Sequence, residues 1–413
     1  MAEAQVAVES KPNMKSRKVD PPVWTVALAG ICAFLNLYAT QPILPMLERT
    51  FHADKAAVSL TVLASTLGVA VAAPFMGMLA DRAGRRTTII AAALALGVTS
   101  MLAATSANLL QLVFWRFLQG VFTPGVFATT VTYINDEWRS RKAGSAMALY
   151  VSGTVIGGFL GRVTVGFLAE HGDWRTAFVA LGLADLAMTA AIWRWLPREV
   201  SNAGKQRVDA PFGGALEHLR NRALLARYAV GFCVLFTLVG TFTYVTFYLA
   251  APPFEFRPSS LGLVFVVYLV GAAATPASGR WIDRHGPRST LMGAAAIAIA
   301  GVLLTPEPKT WAVVAGLAIA CSGVFIAQAA VSRSIGQCAD RNRAMAVGLY
   351  ASFYYAGGCF GATLPAYAWR LGGWPACVGL VALAQMTTLA IALWWWSGPA
   401  KADAGDEAAI AMA

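Results

Sequence analysis

An all-α polytopic membrane protein, built as two six-helix bundles, is the fold class this sequence predicts, and three observations predict it. The 413 residues are 57% apolar and only 13% charged, with a mean hydropathy of +0.59, whereas soluble domains carry about 25% charged residues. Apolar runs of the length that crosses a bilayer recur twelve times along the chain. The second half of the chain also repeats ordered landmarks of the first.

Composition excludes several alternatives. The net charge of +11 is spread as short basic clusters between apolar runs, as in loops on one side of a membrane, and not as one patch for nucleic acid. The expected partner is the lipid bilayer, with no nucleic acid. None of the six cysteines forms a Cys-x-x-Cys pair, and the four histidines show no metal-ligand spacing. No disulfide framework, metal site or cofactor is therefore expected.

The elements follow in order. Residues 1–22 are polar, carry four Lys and Arg, and read as a cytoplasmic tail. Span one, 23–47, ends without a small-residue cleavage site and reads as a retained helix, not a signal peptide. It carries Asn36, Tyr38 and Gln41, then Pro42 and Pro45. Span two, 57–79, runs into a turn before span three, 87–106. Span four, 109–134, carries Arg116, Gln119 and Thr123, with Asp136 and Glu137 just beyond it. Span five, 144–169, holds Gly153, Gly157, Gly158, Gly161 and Gly166, whose spacing puts small residues on one face for close backbone approach. Arg162 interrupts that run. Span six, 174–196, holds Asp185 about half-way along.

A polar linker, 197–223, with Pro197, Pro211, Gly213 and Gly214, separates an N-terminal bundle, 23–196, from a C-terminal bundle, 224–396. Span seven, 224–250, carries Thr241, Thr243, Tyr244 and Tyr248 and is followed by Pro252 and Pro253. The two proline pairs are expected to interrupt spans one and seven at corresponding places. Spans eight and nine are 258–281 and 289–306. Span ten, 310–332, carries Gln328 and Ser332; span eleven, 344–369, carries Gly357, Gly358 and Gly361; span twelve is 374–396. Residues 397–413 form a second tail. With the N-terminus inside, 24 of the 32 Lys and Arg lie on the inner side and six on the outer, while Arg116 and Arg162 lie within spans. Both termini are thus expected in the cytoplasm.

Gly77, Asp81, Arg82, Gly84 and Arg86 recur 202 residues later as Gly279, Asp283, Arg284, Gly286 and Arg288. Tyr150, Gly157, Gly158, Gly161 and Trp174 recur 200 residues later as Tyr350, Gly357, Gly358, Gly361 and Trp374. Six spans per half make this a parallel repeat, which places a substrate path between the halves.

The stretch Gly77-Met-Leu-Ala-Asp81-Arg82-Ala-Gly84-Arg85-Arg86 resembles the signature of the major facilitator superfamily, and Gly279 to Arg288 resembles a second copy. In that copy Trp281 and Ile282 replace small or aliphatic residues, and Pro287 replaces the first arginine of the terminal pair. Arg116-Phe-Leu-Gln119-Gly120 resembles the family's R-x-x-Q-G motif. Gly153-Thr154-Val-Ile-Gly157-Gly158 resembles its antiporter motif, with Thr154 in place of proline. The resemblance covers 23–396. It implies a fold of two six-helix bundles related by a pseudo-twofold axis, with spans one, four, seven and ten around the cavity. It also implies that Asp81 helps lock the cytoplasmic side, with Asp136 or Glu137 in the place of the partner charge.

Charges and turns admit physical readings as well. Glycine suits the reversal between spans two and three, and contacts made there in one state and broken in the other would set state populations. The glycines of spans five and eleven offer packing or a pivot surface. Intramembrane charges mark functional candidates. Either Arg116 or Arg162 pairs with Asp185, or the arginines face the cavity and bind an anionic or polar substrate group. Arg162 breaks the repeat, since Ala362 stands at its counterpart.

The function expected is secondary transport of small organic solutes across the inner membrane by alternating access, as a monomer that uses protons and no ATP. Proton-coupled efflux, as an antiporter, is the leading expectation and proton-coupled uptake of an organic anion the alternative. A membrane enzyme has no H-E-x-x-H, G-x-S-x-G, Cys/His or P-loop sequence to support it, and a receptor has no attached sensory domain.

Overall fold

In a computed structural model, residues 22–138, 140–197, 215–338 and 343–396 are described, and they are helical with short connections. The two predicted tails and most of the linker lie outside the described residues. Span one begins as Trp24–Leu35, opens over Asn36–Thr40, tightens into a 3₁₀ turn at Gln41–Ile43 and resumes as Leu44–Thr50. Pro42 and Pro45 stand second in the two later pieces, within the first turn, where a missing N–H costs no helical bond.

Spans two to six are Lys55–Ala83, Arg85–Ala104, Leu109–Glu137, Ser140–His171 and Trp174–Trp195. Several start on a side chain that accepts from the first turn's free N–H groups. Asp54 Oδ1 accepts from Ala57 N at 2.8 Å, and Asn108 Oδ1 from Gln111 N at 2.9 Å.

Span seven is Arg222–Ala250, preceded by a short helix Ala215–Arg220. It is continuous, against the expectation of a break matching span one. Pro252 and Pro253 lie beyond its last residue, so they remove no hydrogen bond from inside it. Span eight is Pro258–Val264 and the first part of Val267–Leu304, which turns into span nine at Gly286 with φ +78°. Span ten is Thr310–Cys338. Arg343–Trp394 is continuous in hydrogen bonding but folds at Gly372 and Gly373 into spans eleven and twelve. Among the described residues nine helices qualify as membrane-crossing by length and composition; the fold of the longest, the broken span one and Leu109–Glu137 account for the twelve spans. Trp193, Trp311 and Trp394 are exposed near span ends, where amphipathic rings suit the membrane boundary.

The signature turn is shorter than expected. Span two runs on through Asp81 and Arg82, and the reversal falls on Gly84 alone, at φ +89°.

The repeat is visible in packing. A Cβ on Gly157 or Gly161 of span five would strike the carbonyls of Ile31 or Leu35 in span one. A Cβ on Gly357 or Gly361 of span eleven would strike those of Phe232 or Phe236 in span seven, 200 or 201 residues later in each case. Gly153 likewise faces Ala27. Gly153, Gly157 and Gly161 thus join helices inside one half, which is the packing reading of these glycines. The halves meet where span two lies on span eleven, Thr66 Cγ2 being 3.4 Å from a Cβ position on Gly358, and where span five meets span eight at Gly166, Pro258 and Gly262.

Candidate substrate and coupling site

The break in span one replaces the helical ladder with turn bonds such as Ala39 N to Asn36 O, and Arg116 of span four adds its donors to carbonyls of spans one and two there. Its Nη1 donates to Asn36 O at 2.7 Å, its Nη2 to Leu37 O at 2.6 Å and its Nε to Thr61 O at 3.3 Å. Nη1 also reaches Gln119 Oε1 at 2.5 Å and Nη2 reaches Ser65 Oγ at 3.2 Å. A guanidinium has five N–H donors, and all five are used. Arg116 thus has nothing left for a substrate.

Asp185 lies in the same fully buried layer. Its Oδ2 accepts from Asn36 Nδ2, while Asn36 Oδ1 accepts from Ser100 Oγ at 3.0 Å. Among the described residues neither arginine is within ion-pair distance of Asp185. The ion-pair alternative is thus not the arrangement found, because Arg116 is turned to the span-one backbone and Arg162 to the other half.

Among the described residues, Arg162 uses two of its five donors. Nε donates to Gln41 Oε1 at 2.9 Å and Nη1 to Gly158 O at 2.5 Å. Gly158 has a second role: a Cβ there would lie 3.2 Å from Nη1. The rings of Tyr38, Phe265 and Tyr268 surround the guanidinium, their centroids 5.0, 4.6 and 4.8 Å from Cζ. Such rings attract a cation through their faces while leaving its in-plane N–H edge free. Phe265 and Tyr268 belong to span eight, so the cage crosses between the halves. Gln41 Nε2 also crosses, to Thr243 Oγ1 at 3.2 Å.

The remaining polar candidates are scattered. Tyr244 donates to Ala362 O at 2.8 Å and is fully buried between spans seven and eleven. Tyr248 donates to Pro306 O and stacks on Trp374 near the span ends, away from Arg162's cage. Gln328 accepts from Tyr350 at 2.7 Å. Phe265 and Tyr268 went unpredicted, since span eight was not expected at the cavity; the chain opening between Val264 and Val267 is the feature that sets them there.

At the Asp54 end the halves are latched. Arg370 Nη2 meets Asp54 Oδ2 at 2.5 Å, Lys55 lies over Phe247 and Trp369, and Glu170 accepts from both the hydroxyl and the N–H of Ser259. A recess of about 510 Å³ opens at this end, with Arg49 and Arg257 on its rim.

At the Asp81 end the polar contacts among the described residues stay within each half. Arg85 joins Asp136 closely and Asp81 at 3.8 Å, while Asp283 pairs with Arg333 at 2.8 Å. Arg86 donates to the carbonyls of Trp193 and Leu196, and Arg288 to those of Ala392 and Leu393. Arg82 and Arg284 are exposed. A Cβ on Gly77, Gly144, Gly279 or Gly348 would meet no atom within 4 Å. The halves are parted here.

Comparison with known proteins agrees with this architecture. The model of the Major Facilitator Superfamily matches residues 26–256 and 247–411. An MFS-type transporter of Bacillus subtilis, YybF, is 30% identical over 367 residues, 89% of this chain and 90% of its own. The inner membrane transport protein YnfM of Escherichia coli is 29% identical over 387 residues, 92% and 93% of the two chains. A solved bacterial homologue of the human lysosomal transporter Spinster superposes with a TM-score of 0.67 over 90% of this chain and 93% of that one, at 17% identity.

Proposed function

The chain belongs to the Major Facilitator Superfamily and is a multi-pass membrane transporter, not an enzyme, and from that premise we propose that it moves small organic anions by proton-coupled alternating access. Arg162 is the substrate contact in this reading. One observation carries it: three N–H donors of a buried cation, between the halves, have no protein acceptor among the described residues. A carboxylate offers two in-plane acceptors to that edge, and the aromatic cage keeps lipid and bulk water from the pair. The Asp81 end faces the cytoplasm, in keeping with the basic loops there, so the parted halves describe an inward-facing state. The two bundles, 23–196 and 224–396, rock about the span two–eleven and span five–eight seams.

Uptake with protons is the direction that an arginine without an acidic partner favours. Export in exchange for protons is the second reading, favoured by the Gly153–Gly158 run of span five. The Asp81, Arg85 and Asp136 cluster locks the cytoplasmic side when the halves close there, and its echo at Asp283 and Arg288 serves the other half.

The test uses purified protein in liposomes and a panel of radiolabelled aromatic and aliphatic carboxylates. An imposed pH gradient should drive accumulation without ATP, and a protonophore should abolish it. Arg162→Lys should raise the half-saturating concentration about tenfold or more, since lysine lacks the planar fork. Undiminished flux with the protonophore present would overturn the coupling. Unchanged affinity in Arg162→Lys would overturn the substrate contact.

A further inference from the structure

Two arginines and one carboxylate lie within the spans of the N-terminal half, and transport of an anion at Arg162 leaves the carboxylate unexplained. We propose that Asp185 is the group that carries the proton, and that it acts on the substrate site through the break in span one. The proposal rests on the proton-coupled reading above.

The first argument is the repeat. Gln385 stands 200 residues after Asp185, and Thr237 stands 201 residues after Asn36. Gln385 Nε2 donates to Thr237 Oγ1 at 2.7 Å, as Asn36 donates to Asp185. Both halves therefore tie their sixth span to their first by a side-chain hydrogen bond at the same place. The C-terminal half makes that tie with neutral groups. Packing needs the bond and does not need the charge, so the carboxylate is an addition that architecture alone leaves without a reason.

The second argument is the environment. Asp185 is fully buried, and its Oδ1 has no hydrogen-bond partner among the described residues. Span one presents the Cys32 thiol and the Asn36 amide to it, and the Ser100 hydroxyl of span three bonds Asn36 and Phe178 O. Span five presents no charge, because Arg162 turns toward Gln41. Uptake of one proton converts the carboxylate to a carboxyl group with no cation to compensate either form. A charge change of that kind is the largest electrostatic event the layer can undergo.

The third argument is the connection. Asn36 holds Asp185 with its side chain and Arg116 with its carbonyl. Five residues on, Gln41 holds Arg162 and Thr243. In the ionised state the Asn36 amide must donate to Asp185. Once protonated, the carboxyl can donate its new O–H to the amide oxygen instead, which releases Ser100 and lets the amide turn. The stretch between Asn36 and Gln41 is held by the turn bonds of Ala39 N to Asn36 O and Gln41 N to Tyr38 O instead of a helical ladder, so it has fewer backbone bonds to break in following that turn. Protonation is thereby transmitted to the residue that positions Arg162.

The experiment needs no substrate. Spin labels at Thr87→Cys and Ser289→Cys, exposed counterparts across the parted end, report its opening by electron–electron distance measurement, with Cys338 replaced by serine. The wild-type distance distribution should shift between about pH 5 and about pH 9. Asp185→Asn, which keeps the size and an acceptor for Asn36, should hold one distribution across that range, and Asp185→Glu should restore the shift. Gel filtration and thermal unfolding confirm that each variant is folded. A wild-type-like shift in Asp185→Asn would overturn the proposal while leaving proton coupling intact. No shift in the wild-type protein would overturn both.

Discussion

The N-terminal and C-terminal halves share a frame and differ in where they place charge. Spans one and five interlock through Gly157 and Gly161 just as spans seven and eleven do through Gly357 and Gly361. Tyr150 bonds the carbonyl of Phe127, and Tyr350 bonds the side chain of Gln328 at the matching position. Yet the first span of one half is broken and the first span of the other is continuous. Arg116, Arg162 and Asp185 all gather around the break. What this teaches is that the break creates the site: unwound backbone in a membrane needs donors, Arg116 supplies them, and the freed segment then carries Asn36 and Gln41 to the other two charges.

The largest expected effect breaks that asymmetry at its root. Arg116→Met removes the donors to Asn36, Leu37 and Thr61. Asn36 O keeps its bond from Ala39 N and Leu37 O its bond from Ser65 Oγ. What is lost is the set of charge-assisted bonds, each worth about 1.5–3 kcal/mol, so the loss should be several kcal/mol, seen as poor recovery of monodisperse protein and a lowered unfolding temperature in detergent. Arg116→Lys should not rescue it, since three donors on one nitrogen cannot reach carbonyls spread over two spans. If Arg116→Met unfolded like the wild-type protein, the guanidinium would not be what holds the break.

A second comparison is sharpened at the Asp81 end. There Arg85 lies between two carboxylates, whereas Pro287 at the corresponding place leaves Asp283 to an exposed pair with Arg333. Exposed pairs are worth about 0–1 kcal/mol. Asp81→Asn should therefore cut the initial transport rate in liposomes about tenfold or more, with the protein folded, and Asp283→Asn should cut it by less than about fivefold. Equal losses would mean that the two copies of the signature carry equal weight.

The fold was legible because lipid-facing spans must be long and apolar, and because Asp81-Arg82-x-Gly84 and Asp283-Arg284-x-Gly286 punctuate the chain at matching places. Gly84 was legible as the turn because its φ of +89° suits only glycine. The site was legible in part. Arg116, Arg162 and Asp185 stood out as charges among apolar residues, but which groups they meet depends on side-chain direction across helices distant in sequence. The proline pairs misled for a local reason: Pro42 and Pro45 sit inside a span and Pro252 and Pro253 just beyond one, a difference of a few residues that hydropathy does not register. Phe265 and Tyr268 were invisible because aromatic residues are common in every span.

The smallest expected effect concerns the latched end, where the halves meet through Asp54 and Arg370. The Ala57 N–H, and after it the Arg370 guanidinium, hold the Asp54 carboxyl below the usual carboxylate range. The ionised form thus stabilises the latch at neutral pH, and that contribution is lost as pH falls through the depressed value. Only the Arg370 part belongs to the latch, because the bond to Ala57 caps span two whether the halves are together or apart. Asp54→Asn keeps a capping oxygen and removes the charge. Both side chains are more than half exposed, at 54% and 62%, so water screens the pair and its worth is at most about 1 kcal/mol. Ser59 lies fully buried near this end, which makes Ser59→Cys a reporter of opening toward a water-soluble maleimide. Its labelling rate should rise by less than about fivefold in Asp54→Asn, and acid should raise the wild-type rate, but not that of Asp54→Asn, relative to a fully exposed reference cysteine whose rate corrects for the loss of thiolate. A rate indifferent to both changes would leave the latch to Lys55 on its two rings and to Glu170 on Ser259.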